Sequence, residues 1–214
     1  MKKIILLVIV ALSFANAQAQ DFKVFLEKTF FAFDTATNLN SKVEQSNKMG
    51  LIAKKWSTEW TTHYYASLCK AIISYTEPEA AKRDAYLDEA DKEHDEAVSI
   101  LGKENDETYV LAAMIANARL AIDPGQRWMK YGKVFSANLE SAKAINPCNA
   151  RMYYLQGTSK LHTPKAFGGG KKAAISSFEK ADELFAKQGN KDITKPYWGK
   201  KQNDFNLAEC KKED

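Results

Sequence analysis

Apolar residues recur every three to four positions along most of this 214-residue chain, and runs in which they alternate with polar ones are nearly absent. The pattern predicts helices over roughly 58–75, 80–101, 106–122, 127–145, 150–162 and 171–187, with a closing helix near 195–211. A leading helical region covers about 21–55 and breaks near Asp34-Thr35. Proline lacks an amide donor and clashes with the preceding turn, so it marks helix boundaries. Pro78, Pro124 and Pro164 follow apolar-periodic segments, and Pro147 and Pro196 precede them. Asn105 and Asn149 stand where a side chain can cap free helix amides, and Gly102 and Gly189 where a left-handed residue ends a helix.

The start of the chain follows another logic. Lys2 and Lys3 precede an apolar run of 11 residues, Ile4–Phe14, and small residues alternate from Ala15 to Ala19. That is the layout of a cleavable secretory signal, and the run falls short of the roughly 20 residues a spanning helix needs. The expected organisation is a signal peptide over 1–19, a leading helical region over 20–56 and a repeat domain over 57–214 with a C-terminal capping helix. No cysteine near the cleavage site supports a lipid anchor, so the mature chain is expected in the periplasm or outside the cell, without a transmembrane segment.

Small and large residues repeat between hairpins. Ala174, Phe178 and Ala181 are spaced four and three apart; Phe135, Leu139 and Ala142 share that spacing, followed by Pro147; Ala90, His94 and Ala97 share it, followed by Gly102. In the preceding helices Tyr65, Leu68, Cys69 and Ile72, then Tyr109, Ala112, Ala113 and Ala116, then Tyr153 and Gly157 form a second set, from which Gln156 and Lys160 depart. The two sets resemble helices B and A of tetratricopeptide repeats. The triplets start 45 and 39 residues apart, against about 34 in that family, so HEAT-type repeats of about 40–47 compete. The resemblance implies an all-α fold, a right-handed superhelical stack of antiparallel helix hairpins with about three repeats plus end helices. The segment from Thr163 to Gly170 also looks like a loop of exported bacterial proteins of this type, with Phe167 expected to be pinned into the stack.

Composition adds mainly exclusions. Net charge is +4, or +2 without Lys2 and Lys3, and the signs are interspersed, which argues against nucleic acid as a partner. Gly168-Gly169-Gly170-Lys171-Lys172 lacks the strand, spacing and Ser/Thr of a phosphate-binding loop. The three histidines form no Glu-x-x-His or His-Glu-x-x-His motif, and neither Ser nor Cys sits in a nucleophile signature. No catalytic residue, cofactor or metal site is expected. Cys69, Cys148 and Cys210 match no zinc spacing; in an oxidising compartment Cys148–Cys210 is the favoured pair, because Cys69 reads as a packed helix position.

In such repeats helix A lines a concave face that takes peptides or partner helices. Carried over, the groove positions are His63, Lys70, Glu107, Met114, Asn117, Arg151, Tyr154 and Thr158. The expected function is therefore a non-catalytic scaffold for a protein or peptide segment of the cell envelope. A small-ligand or glycan binder using Trp56, Trp60, Trp128 or Trp198 is the alternative, and a hydrolase of envelope polymers comes third.

Overall fold

The computed structural model describes residues 22–189 and 192–212, so the expected signal over 1–19 lies outside the described residues. Among the described residues every regular element is helical. These are α1 (22–35), α2 (Leu39–Lys55), α3 (Trp60–Thr76), α4 (Ala80–Leu101), α5 (Asp106–Leu120), α6 (Pro124–Ile145), α7 (Ala150–His162), α8 (Lys171–Lys187) and α9 (Lys200–Lys211), with one 3-10 turn at Lys165–Phe167. None is long and apolar enough to cross a membrane.

The boundaries follow local chemistry. Asn105 caps α5 through Thr108 N, and the Thr108 hydroxyl returns a bond to Asn105 N, so two free amides are satisfied reciprocally. Asn149 caps α7 through Arg151 N at 3.0 Å, and Gly102 ends α4 at φ 72°. One expectation is corrected. Gly189 does not adopt a left-handed conformation, since α8 ends through an extended Gln188. Pro124 follows α5 and marks a boundary by opening α6, because Asp123 supplies the cap and the first helical position needs no amide donor.

α3 packs on α4, α5 on α6, and α7 on α8, the first two pairs folded back through short turns and the third through the 163–170 loop; α3 also touches α5, and α5 touches α7. The small residues explain the close approach. Ala90, Ala97, Ala142, Ala174 and Ala181 are fully buried, as are Tyr65, Leu68, Cys69 and Phe178. The third pair packs through Gly157 despite its polar neighbours: Gln156 is half-buried, and Lys160 stays exposed and bonds Ser177 at 3.0 Å.

The Thr163–Gly170 loop is corrected as well. Phe167 is 81% exposed, because the backbone closes on itself through Gly169 N to Pro164 O and Gly170 N to Lys160 O. A side chain at Gly169 would meet the Thr163 carbonyl at 2.1 Å, which only glycine avoids. The cysteines are free: Cys210 packs against Ala174 and Phe178, whereas Cys148 lies exposed in the turn between α6 and α7, so that pair does not form.

α4 to α6 are tied by charge. Asp84 accepts two 2.7 Å bonds from Arg127, and Arg119 reaches Asp88 at 2.7 Å and Asp91 at 2.6 Å. The Arg127 hydrogen bonds hold the Asp84 carboxyl below its ordinary value. A depressed carboxyl stabilises the fold above its unfolded pKa of about 3.9 and loses that contribution as pH falls through the lower folded value. Wild type should therefore exceed Asp84→Asn in stability by roughly 0.5–1 kcal/mol at neutral pH. Urea denaturation of the two proteins should show the gap closing below about pH 4.

Candidate functional site

The eight expected groove residues divide into separate environments. His63 Nδ1 lies 2.7 Å from Glu93 Oε2, and Lys70 Nζ lies 2.6 Å from Glu89 Oε2, so both turn into the α3–α4 hairpin. Met114 is buried, and its carbonyl accepts from the Tyr75 hydroxyl at 3.3 Å. Asn117 and Thr158 are half-buried, and the Thr158 hydroxyl donates to its own helix at Tyr154 O. Glu107, Arg151 and Tyr154 are brought together.

Arg151 is 2% exposed and Glu107 9%. The guanidinium donates through Nε to Glu107 Oε2 at 2.8 Å and through Nη2 to Oε1. Asn149 adds a 2.8 Å bond to Oε1, and the Tyr64 hydroxyl a long one of 3.4 Å to Oε2. Burial pushes the Glu107 carboxyl up, and the Arg151 charge opposes it. Burial also works against the Arg151 charge, but Glu107 outweighs it and holds the guanidinium above its ordinary value.

This pair lies beneath the strap, residues 192–199, which leads from the end of α8 into α9. Arg151 Nη1 reaches Gln188 Oε1 at 3.3 Å, the Trp198 indole donates to Tyr64 Oη at 2.7 Å, and Tyr154 meets the indole edge-on at 6.2 Å. A small polar cavity of about 210 Å³ separates the strap from Glu107 and Arg151.

On the other side of the strap is a wide cleft of about 1270 Å³ between α1, the end of α8 and the start of α9. Val24, Phe30 and Phe31 line one wall, and Phe185, Pro196, Tyr197 and Trp198 the other. Val24 and Phe31 are 59% and 67% exposed, a large apolar face left in water. Among the acids, Asp34 accepts from Gln202 at 3.4 Å, Asp192 holds the Thr194 amide and hydroxyl, and Asp204 holds Lys200. The ammonium groups of Lys28, Lys195 and Lys201 line the same space and make no side-chain hydrogen bond or close ion pair among the described residues. Two aromatic walls with spare ammonium groups suit a flat apolar molecule bearing carboxylates.

Among the lining residues none is His, Cys or Met, and Tyr197 is the one phenol. Burial, with Glu27 and Asp34 nearby, pushes its phenol above the ordinary value. No group of three or more His, Cys, Asp or Glu among the described residues is placed to hold a bare metal ion. Trp198, named above for ligand stacking, lines the cleft, whereas Trp128 stands 61% exposed on α6 away from it. The α1 wall and the lysines carry no sequence signature, because they face one another only once the chain ends meet.

No family model matches the sequence, and no curated protein matches it. Among solved structures the chain is similar to the HusA haemophore from Porphyromonas gingivalis, with 31% sequence identity and a TM-score of 0.74 over 87% of this chain and 90% of that one.

Proposed function

From the premise that this chain belongs to the family of the HusA haemophore, we propose that it is an exported, non-catalytic carrier that binds haem in the cleft between α1 and the strap. The observation that carries this reading is the pairing of aromatic walls with three free lysines in one open cleft. The flat macrocycle would lie against Phe31, Tyr197 and the Trp198 wall, and Lys28, Lys195 and Lys201 would meet its two carboxylates. Haem is here the cargo. The lining donors favour recognition of the ring and its acids over ligation of the iron, for which Tyr197 is the single candidate.

The stack of three hairpins is read as tetratricopeptide-like, serving to bring α1 and α9 to one opening. A peptide in the expected groove has less support. Lys70 is already paired with Glu89 and Arg151 with Glu107, and His63 is hydrogen-bonded to Glu93.

Haemin titration followed by the Soret band and tryptophan fluorescence tests the proposal. The mature chain should bind one equivalent. Lys28→Glu combined with Lys201→Glu should weaken binding on the order of tenfold, equivalent to about 1.4 kcal/mol. Iron-free protoporphyrin should bind with similar affinity, and Tyr197→Phe should change haemin binding little. A chain that ignores haemin, or whose binding is indifferent to the double reversal, would defeat the assignment.

A further inference from the structure

A buried ion pair is a weak source of net stability, because the cost of desolvating two charges offsets much of their attraction. The Glu107–Arg151 pair nevertheless sits in the middle of this fold, with Tyr64 linking Glu107 to Trp198 and Arg151 over the indole face. The strap needs such support. Among the described residues it forms no helix, and its backbone bonds include Lys195 N to Asp192 O and, at its end, Asn203 N to Gly199 O. It passes tightly over α8 at Gly199, φ 99°, where a Cβ would stand 3.2 Å from Phe185.

Side chains hold it instead, in a chain of single-purpose bonds. The Trp198 indole N–H is buried and needs an acceptor, which is Tyr64 Oη, 134 positions away in sequence. The Tyr64 hydroxyl turns its own proton toward Glu107. Glu107 is fixed by the two-toothed grip of Arg151. Arg151 reaches the end of α8 through Gln188 at 3.3 Å and returns to the strap across the indole face at 6.0 Å. Each member is satisfied by the next, and the circuit closes on the residue that forms the cleft wall.

We propose that Tyr64, Glu107 and Arg151 are positioning residues, which set the plane of the Trp198 indole and so the width of the cleft. They touch no ligand themselves. The inference rests on the cleft being the haem site, and it makes affinity depend on residues of α3, α5 and α7 that lie behind the wall.

The experiment is a binding cycle with haemin on the full mature chain, using Tyr64→Phe, Trp198→Phe and the double variant. Tyr64→Phe removes one hydroxyl and keeps the buried ring. It should weaken haemin on the order of tenfold, the scale of one buried hydrogen bond. In the Trp198→Phe background, which has no indole N–H to hold, the same change should have no further effect. A merely structural Tyr64 would cost the same in both backgrounds, and that result would overturn the proposal. A second measurement is hydrogen exchange of the Trp198 indole proton without ligand, identified by its loss in Trp198→Phe. Exchange should accelerate at least tenfold in Tyr64→Phe; unchanged exchange overturns the positioning role. If the parent chain fails to bind haemin, the haem assignment falls, while the exchange measurement still decides whether the network holds the indole.

Discussion

Replacing Arg151 by methionine should cost about 3–5 kcal/mol of unfolding free energy, the range for breaking a buried ion pair from one side. Methionine restores much of the lost apolar volume, so the penalty comes from Glu107, whose carboxylate keeps only Asn149 and the long contact to Tyr64 in a site 9% exposed. Arg151 opposes the effect of burial on Glu107, so its removal should push that carboxyl further up. The sign of the pH dependence follows. A carboxyl raised above its unfolded value of about 4.3 favours folding below that value, and the benefit is lost as pH rises through the folded pKa. The deficit of Arg151→Met should therefore be largest at neutral pH and shrink toward pH 4–5, and adding Glu107→Gln should recover much of it at neutral pH. Urea denaturation at two pH values measures both. A loss below about 1 kcal/mol at neutral pH would mean that the pair is not sealed from water in the way its exposure implies.

That circuit also marks where the sequence stopped being readable. Helix positions were legible because they depend on neighbours: the periodic apolar residues, the Asn105 and Asn149 caps and the Gly102 stop act within a few residues of themselves. The small-large-small triplets were legible for the same reason, and all their members are at least nine-tenths buried. Glu107 and Arg151 were expected at a groove surface because charged residues normally face water. They are buried because each finds the other 44 positions away, and no local pattern announces that pairing. The pattern merges the strap into a helix near 195–211, since nothing before Pro196 marks a boundary; the helix starts instead at Lys200, after the left-handed Gly199. Phe167 erred the other way. An apolar residue in a loop was assigned to the stack, but a closed glycine turn leaves it outside. The cleft itself needed Phe31 and Trp198 on facing walls, a relation set by the accumulated packing of all the hairpins between them.

The same packing makes the sign of one substitution depend on another. Truncating Phe178 to alanine should cost about 3–5 kcal/mol, as expected for an aromatic ring fully enclosed between helices. Its ring lies against Gly157, where a Cβ would stand 2.6 Å from Cδ1 and Cε1. The ring has little room to retreat, being fully buried among Ala174, Cys210 and Tyr154. Gly157→Ala should therefore destabilise the parent by about 1–3 kcal/mol through overpacking, even though alanine is intrinsically the better helix former by about 1 kcal/mol. In Phe178→Ala the clash is gone and the new methyl enters the cavity, so Gly157→Ala should become stabilising by up to about 1 kcal/mol. Thermal and urea unfolding of the four proteins give the cycle directly, with a coupling of roughly 2 kcal/mol expected for residues in such contact. Were Gly157→Ala to stabilise the parent as it would an exposed helix, α7 and α8 would not be as close as the alanine and glycine pattern requires, and the hairpin that supports the strap would be wrongly packed.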